Sequence, residues 1–234
     1  MNKTEFIVQD LLSKIYQNQF NNQKLPNQRT LAKDYQVSRY TIQAAIKKLE
    51  EIGIIDAVQG SGMFIKQNFQ TNPLIFNTLT KTPYERISSK VIYLEKKIAT
   101  TEERQIFQLD VDAEIWSFER VRVVDYQIQQ IERSKMPVYL FPDLTEKILE
   151  GSIQGYVQSH NLIISHYITS YSPTTVDARD ADLLMSKRNI PAMRIENRCL
   201  LDDGRVYEYS ELTAIDYTCT YITPFNKKSH QSRK

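Results

Sequence analysis

Apolar positions recur at helical spacing in the first quarter of the chain and at alternate positions through much of the remainder. Ile7, Leu11, Leu12 and Ile15 predict a helix over 5–19, followed by a polar loop, Asn21-Asn22-Gln23-Lys24. A short second helix is expected after Pro26, with Asn27 as its N-cap and Leu31 and Ala32 facing inward. Gln36-Val37 then leads to Ser38, the N-cap of a third helix that gathers Ile42, Ala45, Ile46 and Leu49 on one face. Gly53 stands where a left-handed helix end belongs. Ile54–Val58 and Met63–Ile65 read as two strands around the turn Gln59-Gly60-Ser61-Gly62. Three helices and a hairpin in that order describe a winged helix-turn-helix over residues 1–66.

The pattern changes after that. Residues 67–84 are rich in Gln, Asn, Thr and Pro and read as a linker. Between 85 and 226, strands are expected at 89–98, 115–125, 127–135, 162–172, 192–202 and 205–217, with a further one near 218–224. Helices are expected at 101–108, 142–150, 152–160 and 177–187. Hairpin-linked strands interrupted by helices make this an α+β domain on an antiparallel sheet. Residues 227–234 lack apolar anchors and are expected to be a disordered basic tail.

Composition narrows the class. Hydrophobic residues make up 41% of the 234 and charged residues 25%, enough for two soluble domains. No apolar run approaches the ~20 residues of a membrane span, and the start is polar. Two cysteines, Cys199 and Cys219, suit a reducing compartment, so a cytoplasmic protein is expected. Charge matters once it is divided. Residues 1–66 carry nine Lys/Arg against six acids, or +3, whereas residues 67–226 sum to −5. A basic head on an acidic body points to a polyanion partner for the head alone, with chance surface charge as the alternative.

The third helix turns Arg39, Tyr40, Gln43 and Lys47 away from its apolar stripe. Arg and Gln can read base edges in the major groove, while Ser38, Thr41 and the helix-start N–H groups suit phosphates. Arg29 adds a phosphate or groove contact, and the wing turn Gln59-Gly60-Ser61-Gly62 lets backbone approach the minor groove. A solvated helix face is the alternative. Residues 25–65 resemble the winged helix of the GntR family. Leu25-Pro26-Asn27-Gln28-Arg29-Thr30-Leu31-Ala32 is similar to its Leu-Pro-Ser-Glu-Arg-x-Leu-Ala signature. Ser38-Arg39-Tyr40-Thr41-Ile42-Gln43 and Gln59-Gly60-Ser61-Gly62-Met63-Phe64-Ile65 match its later motifs at the same spacing. The resemblance implies a dimer on a palindromic double-stranded DNA operator. Asn27-Gln28 replaces the usual Ser-Glu, and Gln43 replaces an arginine.

In the second domain, Ile115–Val124 alternates like a strand. It puts Arg120 and Arg122 on one face with Trp116, Phe118 and Val124, two guanidiniums about 7 Å apart. Such a pair suits a phosphate or carboxylate; arginines bridged to acids of a neighbouring strand are the alternative. Residues 85–224 resemble the UTRA effector domain of the HutC subfamily, whose fold is similar to that of chorismate lyase. The resemblance rests on Phe118-Glu119-Arg120-Val121-Arg122, Ile131-Glu132-Arg133-Ser134, Pro191–Glu196 and Asp203–Ser210. By position it implies an effector site of Ser88, Ser89, Arg120, Arg122, Glu132 and Glu208, with Ser165 and Tyr167 as further candidates. The implied ligand is a small anionic metabolite, most simply a phosphorylated sugar. The glycine usual after the arginine strand is absent at Asp125-Tyr126-Gln127, and Thr213-Ala214-Ile215-Asp216 stands for the family's Tyr-x-Gly-Asp.

Catalysis finds no matching pattern. His160, His166 and His230 lie in separate segments, and no metal-ligand spacing occurs. Asp177, Asp180 and Asp182 fit a helix start, and Trp116 fits a core. No cofactor and no catalytic residue is expected. A lyase-like enzyme and a DNA-binding dimer without a ligand are the rival readings. Glutamine pairs with adenine where arginine prefers guanine. Gln43→Arg should therefore shift base preference at one half-site position toward guanine. Binding to operator variants checks this, and an unchanged preference refutes it.

Overall fold

The computed structural model describes residues 3–58, 60–66, 74–77 and 86–222. Gln59, most of the stretch expected to be a linker, and the expected basic tail lie outside the described residues. The chain divides into two units, Met1–Lys81 with Thr218–Lys234, and Thr82–Tyr217.

The first unit is built as its periodicity requires. Helix α1 (Lys3–Tyr16) buries Ile7, Val8, Leu11, Leu12 and Ile15 against α3 (Arg39–Glu51), which contributes Ile42, Ala45, Ile46 and Leu49. α1 stops short of residue 19, and Asn18 takes a left-handed φ of 54°. Between them α2 (Gln28–Asp34) is capped by Asn27, whose side chain accepts from Thr30 N–H at 2.9 Å. Gly53 has φ 75° just past α3. Strands β2 (Ile55–Val58) and β3 (Gly62–Ile65) form the hairpin. A third strand, β1 (Lys24–Leu25), pairs with β3 at the end of the segment 21–24 expected to be loop; two residues are too few to show a period. Gly62 has φ 121°, a backbone conformation that favours glycine; a Cβ there would meet only the end of the flexible Lys24 side chain, at 2.6 Å.

The strand expected near 218–224 forms as β11 (Cys219–Ile222). Its partner is not the large sheet but β4 (Leu74–Asn77), within the segment expected to be linker. Ile222 packs against the core of the first unit.

The second unit is a six-stranded antiparallel sheet ordered β5-β6-β7-β10-β9-β8. The strands are β5 (Ile87–Ile98), β6 (Glu114–Val124), β7 (Gln127–Pro137), β8 (Ile164–Thr175), β9 (Pro191–Leu201) and β10 (Val206–Ala214). The β6–β7 turn holds Asp125 and Tyr126 at φ 50° and 65°, so it takes the left-handed shape without the family's glycine. Helices α5 (Glu146–Leu149) and α6 (Ile153–Ser159) join Phe118, Met136, Phe141, Val157, Cys199 and Tyr207 in one core. Trp116 belongs to that core, its Nε1 donating to Phe141 O at 2.7 Å. α5 is shorter than expected because 138–144 are turns that bury Phe141 and Leu144.

On the other face lie α4 (Thr101–Phe107) and α7 (Ala178–Leu184). α4 begins with a reciprocal cap between Thr100 and the buried Glu103, which also meets Lys135 at 2.9 Å. α7 is capped by Asp177 and packs Ala181 and Leu184 on Val121 and Ile131. Its Asp180 pairs with Arg133, which is also 3.3 Å from the fully buried Glu119; Arg179 closes on Glu119 as well. Removing one member of such a group leaves a buried carboxylate short of countercharge. Arg133→Leu should lower stability by about 3 kcal/mol or more, read by chemical denaturation; a change of a few tenths would show that the network is not holding α7.

Candidate nucleic-acid and effector sites

The apolar stripe of α3 decides which side chains the first unit presents. Ser38 Oγ accepts from Thr41 N–H at 3.1 Å and lies 2.8 Å from Thr41 Oγ1, which fixes the first turn. With Ile42, Ala45, Ile46 and Leu49 buried beneath, Arg39, Tyr40, Gln43 and Lys47 are exposed, Tyr40 at 80%. Lys47 makes a loose surface pair with Glu51 at 3.8 Å. Arg29 is exposed in the first turn of α2, and Gly60 and Ser61 are exposed in the wing turn. A helix start carrying cations, an amide and an aromatic hydroxyl has the chemistry that major-groove readers use.

In the second unit, register places the expected residues more sharply than alternation alone could. Directly paired residues of an antiparallel sheet share a face. One cross-strand row runs Ser89–Arg122–Gln130, from β5 through β6 to β7. The next runs Val91–Arg120–Glu132–Leu212, and the next contains Phe118, Ser134, Ser210, Asn197 and Thr169. Glu208 pairs with Cys199, which pairs with Tyr167. Ser89, Arg120, Arg122, Glu132, Glu208 and Tyr167 therefore share one face. Ser88 pairs with Val123 and lies on the opposite face. Ser165 sits at a register shift, exposed, its Oγ 3.0 Å from Nδ1 of the adjacent His166; neither serine joins the cluster.

The paired-arginine clamp is not what the structure builds around Arg120. That side chain is buried and makes four hydrogen bonds. Nε and Nη2 donate to the two oxygens of Glu132 at 3.1 and 2.9 Å, and Nη1 donates to Leu149 O at 2.7 Å and Gly151 O at 3.2 Å. Arg120 thus ties the α5–α6 junction to the sheet. Sequence reasoning also missed Ser134, Ser210 and Asn197. Ser134 Oγ lies 3.2 Å from Glu132 Oε1 and 2.9 Å from Glu208 Oε1. Asn197 donates to Ser210 Oγ at 3.3 Å and accepts from Thr169 Oγ1 at 2.8 Å. The signal was present in β7, where Gln130, Glu132 and Ser134 are three polar residues at period two.

Burial opposes the charge on Glu132, but Arg120 and Arg122 outweigh it and, with hydrogen bonds from Arg120 and Ser134, hold its carboxyl below the usual range. Burial and then the charge of Glu132 push Glu208 up to about 7. The geometry agrees with a proton there. One serine hydroxyl cannot donate to two carboxylates at once, but a protonated Glu208 can donate to Ser134 Oγ while Ser134 donates to Glu132. Burial keeps the Cys199 thiol protonated. Among the described residues no His, Cys, Asp and Glu are grouped to hold a metal, and no helix is long and apolar enough to cross a membrane.

Comparison with known proteins gives two family matches. Residues 3–65 match the model for bacterial regulatory proteins of the GntR family, and residues 84–215 match the UTRA domain. The chain is 28% identical over 205 residues to the mannosyl-D-glycerate transport/metabolism system repressor MngR of Escherichia coli, covering 85% of each chain. It is 27% identical over 221 residues to the transcriptional regulator GmuR of Bacillus subtilis, covering 90% of this chain and 92% of that one. The crystal structure of the possible transcriptional regulator YydK from Bacillus subtilis superposes with a TM-score of 0.58 at 24% identity, covering 97% and 100%.

The carboxyl of Glu208 titrates near 7 in the folded chain and near 4.5 when ordinary. A folded value above the unfolded one contributes stability at low pH that is lost as pH rises through the folded value. The ligand-free melting temperature should therefore fall between about pH 6 and about pH 8, and Glu208→Gln should flatten that slope. Thermal melts across the range check it; an unaltered slope in the variant would sink the assignment.

Proposed function

Because the chain belongs to the GntR family of bacterial regulatory proteins and carries the UTRA domain of its HutC subfamily, we propose a specific mode of action for this DNA-binding transcription regulator. Two chains bind a palindromic operator, each contributing the exposed side of α3 and its wing. The effector domains carry the dimer contact and sense a small anionic metabolite, a phosphorylated sugar. Without the effector the protein represses; with it, the heads lose the spacing the operator needs. An effector does this only through a difference in its affinity for the two head arrangements. The working compartment is the cytoplasm, where both the DNA and phosphorylated metabolites are found.

The reading is carried by the polar face across β6, β7 and β10. Arginine, glutamate, serine and glutamine stand there in the middle of a sheet, where a domain serving dimerisation alone would keep apolar residues. Cations and donors suit an anionic end, and the two carboxylates suit sugar hydroxyls or an amine. A relative named as a repressor of mannosyl-D-glycerate transport and metabolism supports both the repressor and the sugar-derived ligand. The family's members similar to this chain are regulators, which leaves the lyase-like reading without support.

Two measurements test the proposal. Affinity for the gene's own upstream region should fall steeply with salt, and Arg39→Ala should weaken it. A hexose phosphate should raise the melting temperature and release the DNA, and Arg122→Ala should remove both effects. Salt-insensitive binding would overturn the head's role. Binding that no phosphorylated sugar alters would leave a ligand-independent dimer instead.

A further inference from the structure

Gln130 is buried in the middle of the sheet, with 2% of its surface exposed, and its Nε2 has no hydrogen-bond partner among the described residues. The residue stands on the face that carries Glu132 and Ser134, in one row with Arg122 on β6 and Ala214 on β10. Next to it the strand pairing slips, Arg122 meeting Gln130 while Val123 meets Ile128, so Gln129 is the extra residue of a bulge. Bulges re-aim side chains and recur beside binding sites. A buried amide donor without an acceptor destabilises the fold that holds it, and few are found in native chains. A methionine or leucine would fill the same space without that cost. Turning the amide over replaces the orphaned N–H with an orphaned oxygen and does not remove the problem.

We infer that Gln130 is an effector-binding residue, whose amide N–H groups, with Arg122 and Ser89 of the same row, seat the anionic end of the ligand. The inference rests on the effector reading above and deepens it. Arg120 is engaged by Glu132 and by the carbonyls of Leu149 and Gly151, so the second donor beside Arg122 comes from the neighbouring strand, not from two residues earlier on β6. Glu132, charged, and Glu208, which holds a proton more readily, then face the other end of the ligand, away from the anion. An amide adds donors without adding charge beside Arg122, which favours an oxyanion that offers several acceptors. Nε2 is closed to solvent in the ligand-free chain. The anion therefore reaches it only when the side chains covering it shift, which makes occupancy of this row a structural change and not a simple addition.

Melting curves of the full chain with inorganic phosphate and with glucose 6-phosphate test this, using Gln130→Met and Gln130→Glu. Without ligand, Gln130→Met should melt about 2–4 °C higher, because the orphaned amide is gone. Its affinity for the probe that stabilises the native chain should fall about tenfold or more. Gln130→Glu keeps the shape but sets a carboxylate beside the anion, and it should lose the response altogether. A lower melting point for ligand-free Gln130→Met would show that the amide is a structural partner, and would overturn the inference. So would a full response to the probe in either variant, with the effector reading left standing. If neither probe stabilises the native chain, the phosphorylated-ligand reading fails and this one fails with it.

Discussion

The ion pair between Arg120 and Glu132 holds the effector domain in its working shape. Both groups lie in the sheet interior, where an isolated charge would be far costlier than at the surface. The pair is tolerable because its hydrogen bonding is nearly complete. Two oxygens face two nitrogens, the remaining nitrogen reaches two carbonyls at the α5–α6 junction, and Ser134 attends the carboxylate. One interaction thereby ties β6 to β7 and both to the α5–α6 junction above them. The row holding Gln130 lies next to it on the same face, and the charge on Glu132 is one cause of the raised titration of Glu208.

The two units hold their functional groups in opposite ways, and the difference follows from their partners. DNA is a rigid polyanion larger than the head, so the head needs exposed cations on a firm helix and no cavity. Among the described residues its buried core is apolar, and Arg39, Tyr40, Gln43 and Lys47 stand outside it. A small metabolite must be surrounded, so its recognition groups belong inside the fold where they compete little with water. The price is a sheet interior crowded with polar atoms, which only accurate pairing makes stable.

Legibility in the sequence divided along the same line. Helices α1, α2 and α3 and the hairpin β2–β3 were readable from period and caps, because Asn27, Ser38 and Gly53 mark boundaries locally, whereas β1 and β4 were not. The six large strands were readable too, since alternation and hairpin turns are local signals. What could not be read was register. Whether Arg120 faces solvent, ligand or Glu132 depends on which residue of β7 lies opposite, and that is settled by long-range pairing. Ser88 and Ser89 are adjacent in sequence, but the pleat sends them to opposite faces. The pairing of β11 with β4 joins segments more than a hundred residues apart, and nothing local announces it.

That last pairing bears on how a ligand could act on DNA at all. Strand β10 carries Glu208 and Ser210 on the site face and ends at Ala214; after four intervening residues the chain enters β11 at Cys219, which belongs to the same unit as the winged helix. The effector domain is thus inserted between two segments of the first unit and leaves it by two covalent crossings, one on each side. A single flexible crossing transmits tension poorly, because its entropy absorbs small displacements. Two crossings constrain each other. Only Ile215–Thr218 separate β10 from β11, and β11 is held by backbone hydrogen bonds to β4 and by Ile222 in the core of the first unit. On the proposed reading, proton and ligand would both act on β10, through Glu208, on the strand from which the chain passes to β11.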